Sequence, residues 1–371
     1  MTARHLSEFA RFDDEIGSAG TMSGNPAADA AGKDAAQEPA KANANTKAAA
    51  QAENEPRLKY FPVSFFAMVM GLSGLTLAWH KGEKALGIGL PIAHALGLFT
   101  FALFVVLLAI YATKAIRYPQ AVVGELNHPV MMAFFPTISI SFLLMTMCLK
   151  PLWPGFAFIL WVIGTVLHLI LSLHVVRSWI HHTKFQVGHL NPAWFIPAVG
   201  NVLVPLGGVA FGYIELSWFF FAVGISFWVI LLVIVFNRML FHEPLPDRLL
   251  PTLFILIAPP AVGFLSYFGL VKELDSFGRV LYYLALFFTL LLVIEAPRFA
   301  RLPFFLSWWA YSFPSAAITA ATFVMASLTG SAFLSRLAVV LLVLLTLLLL
   351  LLLIKTVQAV MARKICVPMK H

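Results

Sequence analysis

The chain has 371 residues, of which 60% are hydrophobic and only 11% are charged. Soluble domains carry about 25% charged residues, so the composition excludes a soluble enzyme and indicates a polytopic membrane protein. The formal net charge is +8, yet residues 1–58 hold six Lys or Arg and nine Asp or Glu, so the rest of the chain is strongly basic. Such an excess is typical of cytoplasmic loops, and we expect no nucleic-acid partner.

Residues 1–58 form a polar, alanine-rich segment. Alanine buries too little apolar surface to offset the entropy of ordering the backbone, so we predict a disordered cytoplasmic tail. The predicted organisation is this tail at 1–58, a ten-helix transmembrane domain at 59–363 and a short cytoplasmic tail at 364–371.

Ten apolar segments follow from Tyr60 onward. Each is long enough for the roughly 20 residues that a transmembrane helix needs. The sequence therefore predicts an all-α integral membrane protein with ten transmembrane helices. The segments are 60–80, 89–116, 128–149, 153–178, 192–213, 215–239, 249–270, 276–297, 303–328 and 332–361.

Lysine and arginine residues in the connections predict the orientation of these helices. Thirteen of them lie on the side that holds the two termini, and six lie on the opposite side. By the positive-inside rule, both termini face the cytoplasm. We expect an integral protein of the bacterial inner membrane.

Prolines divide the ten segments into two groups. The third, fifth, seventh and ninth segments carry proline well inside their spans, and the first has proline near its start, whereas even-numbered segments carry proline only at their ends. A proline inside a helix frees a carbonyl group, for which lipid offers no partner. We therefore predict five helical hairpins, in which kinked odd-numbered helices form an inner pore ring and even-numbered helices form an outer ring.

The ninth segment shows the pattern most clearly. Pro314 interrupts an apolar stretch that also carries several hydroxyl groups, and Phe313 precedes the break. A large ring at mid-depth is a natural obstruction, so Phe313 is the candidate pore gate and Pro314 the candidate kink. The further candidates for the pore lining are Ser64, Gly71, Phe135, Pro136, Ser139, Pro197, Asn201, Pro205, Pro259, Pro260, Ser312 and Thr319.

The predicted inner helices contain almost no ionisable residue, and coupled carriers usually need buried acids, histidines or arginines. The ionisable candidates lie instead on even helices, where we interpret His94, His168, His174 and Glu295 as structural or interfacial groups. No nucleophile–base pair, metal-ligand spacing or phosphate-binding glycine loop stands out. We expect neither an enzyme nor a cofactor or metal.

Four stretches resemble the TehA and slow-anion-channel family, also called the tellurite-resistance/dicarboxylate-transporter family. The most specific is Ser-Trp-Trp-Ala-Tyr-Ser-Phe-Pro at 307–314, and the others lie at 61–72, 127–135 and 192–197. The resemblance implies ten helices arranged as five hairpins around a central pore, with one pore in each subunit of a homotrimer. It also implies that a ninth-helix phenylalanine, which matches Phe313, blocks the pore.

Three functions remain open from the sequence. The first is a passive channel for small anions such as chloride or nitrate, which an uncharged pore would hold only weakly. The second is a secondary carrier for C4-dicarboxylates such as malate, and the third is a transporter that gives resistance to tellurite or other toxic compounds. The expected partners are small inorganic or organic anions, the lipid bilayer and further copies of the chain.

Overall fold

The computed structural model describes residues 56–89, 91–363 and 365–366, and within these ranges all regular secondary structure is helical. Nearly all of the predicted tail at 1–58 and most of the predicted tail at 364–371 lie outside the described residues.

Ten helices in the described ranges are long and apolar enough to cross a membrane, which confirms the predicted number. We number them spans 1 to 10 in chain order. They are Val63–Leu86, Ile92–Arg117, Met131–Leu149, Pro154–His181, Pro192–Phe211, Ile214–Phe241, Leu250–Val271, Ser276–Ile294, Leu306–Thr329 and Ala332–Met361.

Burial separates the odd-numbered spans from the even-numbered ones. In the most apolar part of each odd span, 61–78% of the residues are buried inside the protein, whereas the corresponding share in the even spans is 28–39%. The exposed faces of the even spans carry large aliphatic and aromatic side chains, which a lipid environment accepts. The four spans with internal prolines are therefore among the five that protein surrounds, and the fifth is span 1, which Pro62 directly precedes.

The two groups also differ in helix type. Each even span is a single α-helix. Each odd span begins in 3₁₀ conformation and continues as an α-helix, except span 5, in which short 3₁₀ and α-helical segments alternate from Pro192 to Phe211. In span 9, for example, the 3₁₀-helix Leu306–Tyr311 leads directly into the α-helix Ser312–Thr329. Pro314 is the third residue of that α-helix, among the first four positions, whose N–H groups have no partner within an α-helix. The break in the helix is thus a change of helix type immediately before the proline.

Contacts between the spans follow a simple order. Each odd span packs against the even span that follows it, and the 3₁₀ segments at the starts of the odd spans touch one another in a closed circle. That circle runs from span 1 to span 3, then to spans 5, 7 and 9, and returns to span 1. All five odd spans run in the same direction, so their first halves meet at the same side of the molecule.

Spans 1 and 9 approach each other closely because two glycines of span 1 face span 9. A Cβ atom built at Gly71 would lie 2.1 Å from the Ser312 Oγ and 2.6 Å from the Ser312 Cβ. One built at Gly74 would lie 2.6 Å from the Ala316 Cβ and 3.5 Å from the Phe313 Cδ2. Span 9, and the Phe313 ring with it, can therefore take this position because Gly71 and Gly74 have no side chains.

A buried ion pair connects the end of span 2 to the start of span 1. The Lys114 ammonium is fully buried and donates to the Phe61 carbonyl at 2.8 Å and to the Glu125 carboxylate at 2.7 Å. The Tyr111 hydroxyl donates to the other carboxylate oxygen of Glu125 at 2.9 Å. Glu125 belongs to the short helix Pro119–Asn127 that follows span 2. Lys114 therefore has a structural role, and Glu125 neutralises its charge.

Candidate functional site

A cavity lies between the first halves of the five odd spans, and each of these spans contributes to its wall. Its volume is about 80 Å³, several times the roughly 10–15 Å³ that one ordered water requires. The residues that line it are Ser64, Ala67, Met70, Phe134, Thr137, Ile140, Phe195, Ile196, Val199, Gly200, Val202, Leu203, Thr252, Ile255, Ala258, Pro259, Val262, Leu306, Ser307, Trp309, Ala310, Phe313 and Pro314.

Besides the indole N–H of Trp309, which donates to the Thr356 hydroxyl at 2.9 Å, the polar side-chain groups of the cavity wall are hydroxyls, and none of the lining residues carries a charge. Spans 1, 3, 7 and 9 contribute one each, from Ser64, Thr137, Thr252 and Ser307. The Thr137 hydroxyl donates to the Phe134 carbonyl, and the Thr252 hydroxyl donates to the Leu249 carbonyl. Both hydroxyl protons are therefore already hydrogen-bonded within their own spans.

The Ser307 hydroxyl is in a different position. Its oxygen is buried and has no hydrogen-bond partner in the part of the chain that the structure describes. A buried hydroxyl that lacks a partner costs free energy, unless water or a ligand completes its hydrogen bonding. Ser307 can therefore offer a donor to whatever occupies the cavity.

Phe313 is half-buried and forms part of the cavity wall, together with its neighbour Pro314. It is the second residue of the α-helix of span 9, immediately after the change from 3₁₀ conformation. Ser64 and Pro259, predicted from spans 1 and 7, also line the cavity. Four of the candidate residues are thus brought together around one space.

The other candidates lie outside the cavity wall, in contacts between or within spans. Gly71 faces Ser312, Asn201 donates to the Ser172 hydroxyl at 3.1 Å, and Thr319 donates to the Ser315 carbonyl at 2.7 Å. That these residues line the pore at other points along the anion path stays a prediction. The full set is Gly71, Phe135, Pro136, Ser139, Pro197, Asn201, Pro205, Pro260, Ser312 and Thr319, and all of them are buried.

Most of the apolar lining was absent from the sequence prediction, although a regular spacing marks it. In span 9 the lining residues Ser307, Ala310 and Phe313 are three positions apart. The same spacing relates residues 64, 67 and 70 in span 1 and residues 134, 137 and 140 in span 3. Ser307 and Ala310 lie in the 3₁₀-helix Leu306–Tyr311, in which side chains three positions apart lie above one another. Most of the stripe residues of spans 1 and 3 lie in α-helices, in which residues three positions apart share a face. A search for this spacing, started from Phe313, would have found Ala310 and Ser307.

Comparison with known proteins relates the whole membrane region to one family. Residues 60–357 match the family model described as "Voltage-dependent anion channel", named SLAC1. The chain is 29% identical to the S-type anion channel SLAH3 of Arabidopsis thaliana over 293 residues, which cover 77% of this chain and 46% of that protein. It is 30% identical to SLAH2 of the same plant over 275 residues, covering 72% and 53% of the two chains.

A bacterial protein is also similar. The tellurite resistance protein TehA homolog of Haemophilus influenzae is 28% identical over 258 residues, which cover 68% of this chain and 77% of that protein. The chain spans about half the length of the two plant relatives, so the match to them is a match of the membrane region. With a family model that covers residues 60–357, this chain belongs to the slow-anion-channel and TehA family, as the four stretches of its sequence indicated.

Proposed function

We propose that this protein transports anions across the membrane, through a path that includes the cavity between the five odd spans. The observation that carries this proposal is the closed circle of 3₁₀ segments around a cavity that bears hydroxyl groups and no charge. Membership of a family whose plant relatives are named anion channels supports the same function.

An uncharged wall favours a channel. Conduction requires that an ion enter easily and also leave quickly, so its binding in the pore has to be weak. Hydroxyl donors such as that of Ser307 can replace part of an anion's hydration, whereas a fixed lysine or arginine would hold it tightly. Small monovalent anions such as chloride or nitrate fit this chemistry. A carrier for C4-dicarboxylates would need fixed cations for two carboxylates, and the lining residues include none.

Phe313 is the proposed gate. Its ring borders the cavity, and the neighbouring Gly74 leaves the space in which the ring packs. The aromatic ring narrows the path and excludes water from it, and hydrophobic constrictions of this kind can close a channel. Pro314, in the first turn of the α-helix, would hold the ring at the point where the helix type changes.

Assembly and orientation complete the proposal. The even spans expose broad apolar faces, which would contact lipid and neighbouring subunits of a homotrimer. The basic residues near the starts of the odd spans support an orientation in which those starts, and the cavity, face the cytoplasm from a bacterial inner membrane. Basic flanks on that side would raise the local concentration of anions.

Electrical recording in oocytes or planar bilayers tests the function. We expect currents whose reversal potential follows the anion gradient and is unchanged when sodium is replaced by a large organic cation. Phe313→Ala should raise the current by about tenfold or more, equivalent to about 1.4 kcal/mol of barrier. The matched control is Phe333→Ala, because Phe333 is 70% exposed on the outer face of span 10 and should leave the current unchanged.

Two results would contradict the proposal. The gate would be excluded by a Phe313→Ala variant that reaches the membrane at the normal level and carries the same current as the unmodified chain. Passive conduction would be excluded by accumulation of labelled malate against its gradient that an uncoupler abolishes, which would favour the dicarboxylate carrier.

A further inference from the structure

The feature that the proposed function leaves unexplained is a histidine in the middle of span 4. His168 has no exposed surface, and its Nδ1 atom lies 2.9 Å from the Ser139 Oγ of span 3. The single hydroxyl proton of Ser139 points to the Pro136 carbonyl at 2.8 Å. The hydroxyl oxygen therefore accepts from His168, which means that the ring carries its proton on Nδ1. Nε2 then holds a lone pair and has no partner among the described residues.

The unpartnered side of the ring faces the cavity wall at Gly200. A Cβ atom built on Gly200 would lie 2.9 Å from the His168 Nε2 and 2.7 Å from its Cε1. Gly200 itself lines the cavity, as does Ile140, whose Cδ1 lies equally close to that position. The imidazole edge therefore packs directly against Gly200, a residue of the cavity wall that has no side chain. Any larger residue at position 200 would overlap the imidazole and displace it.

The elements packed around His168 provide no counter-charge. Span 4 packs against the α-helix Pro136–Leu149 of span 3 and against the first 17 residues of span 5, from Pro192 to Gly208. The only titratable side chain on these elements is that of Cys148, near the far end of span 3. Tyr213 contacts span 4 at Trp161, seven residues before His168.

The remaining ionisable groups are remote. On span 4 itself, the nearest are His174 and Arg177, both exposed and six or more residues away. Span 2 touches span 4 through Phe101 and Phe156, twelve residues before His168. A charge in a buried, water-poor site is costly unless an opposite charge is close. Within the described structure, the nearest place for such a partner is the cavity behind Gly200.

We propose that His168 is a proton-binding site coupled to anion occupancy of the cavity. A proton from water binds the Nε2 lone pair, and the imidazolium then presents an N–H group and a positive charge to an anion behind Gly200. No covalent bond to the anion forms, and Nδ1 keeps its hydrogen bond to Ser139. Because coupling between two binding sites is reciprocal, acid strengthens anion entry and an anion in the cavity favours protonation.

This inference rests on the proposed anion pathway, and its test compares two pH values in the same variants. We expect the anion current of the full chain to rise as the pH is lowered from about 7.5 to about 4.5, a range that extends below that of an exposed histidine because a buried imidazole is harder to protonate. The expected rise is at least about fivefold, the lower end of typical coupling between sites. His168→Gln should remove this rise, because glutamine preserves a polar group but cannot become a cation. His174→Gln is the control and should retain it, since His174 is exposed on the same helix.

A second measurement needs only the unmodified protein. Purified protein in weakly buffered detergent is mixed at about pH 5, below the range of an exposed histidine because His168 is buried, with nitrate or with gluconate, an anion too large for the cavity, while an indicator dye reports pH. Proton uptake with nitrate alone is expected. An equal response to both anions, or a pH-dependent current that survives His168→Gln, would overturn the proposal. If Phe313→Ala carries no anion current at either pH, the proposed function fails, and nitrate-dependent proton uptake still reports on His168 independently.

Discussion

Replacement of Gly71 by alanine is a direct test of how spans 1 and 9 hold the candidate gate. The added Cβ would lie 2.1 Å from the Ser312 Oγ and 2.6 Å from the Ser312 Cβ, whereas ordinary contacts begin at about 3.4 Å. Rotation of the hydroxyl cannot relieve the second contact, because a Cβ atom is fixed to the backbone. Span 9 has to move away by about 1 Å, and overpacking of this kind costs about 1–3 kcal/mol.

The assay measures the unfolding temperature of the detergent-solubilised protein, with size-exclusion chromatography used to monitor the folded fraction after heating. Gly71→Ala should lower the unfolding temperature, while Gly124→Ala, where nothing lies within 4 Å of the new Cβ, should not. Combining Gly71→Ala with Ser312→Gly removes both contacting atoms, and we expect the double variant to be more stable than Gly71→Ala alone. The displaced span also carries Phe313, so Gly71→Ala should alter anion current. If Gly71→Ala were as stable as Gly124→Ala, the proposed close contact would be refuted.

Three more predictions concern single contacts. Lys114→Met should lower the free energy of unfolding by about 3–5 kcal/mol, because it leaves the Glu125 carboxylate without its buried partner, and adding Glu125→Gln should restore part of it. Ser307→Ala should change the nitrate-to-chloride permeability ratio, from bi-ionic reversal potentials, by about two- to tenfold, the worth of one hydrogen bond. Thr252→Val should change it less, since the Thr252 proton is already bound within its helix. Hydrogen bonds from the Gly278 amide and the Tyr267 hydroxyl lower the pKa of Asp275 below 3.8, so Asp275 contributes stability at neutral pH. That contribution is lost as pH falls through the lowered value, and Asp275→Asn should flatten the acid limb of a stability–pH profile.

Proline positions carry much of the information about this fold. A proline in the interior of an apolar segment needs protein or water around its freed carbonyl, and the four segments with such prolines are among the five spans that the structure buries. The number of spans follows from segment length. The last span, Ala332–Met361, has the predicted bounds because an uninterrupted apolar run leaves no ambiguity.

The details of the site depend on contacts that a linear pattern does not contain. The prediction treated the odd spans as kinked α-helices and selected polar and proline residues along them. The structure begins each one in 3₁₀ conformation, and the cavity is lined by residues at every third position of spans 1, 3 and 9, which include Ala67, Ile140 and Ala310. Burial of Lys114 has the same origin, because its partner Glu125 comes from a short helix that the apolar pattern omits.

The most direct test of the pore is a size series at position 313. Phe313 is replaced by glycine, alanine, leucine and tryptophan, and anion current is measured at equal surface expression with the same gradients. If the ring of Phe313 closes the path through the cavity, the current should fall steadily as the side chain grows, with glycine highest and tryptophan lowest. Currents that are equal across the series, or that rise with side-chain size, would contradict a gate at Phe313.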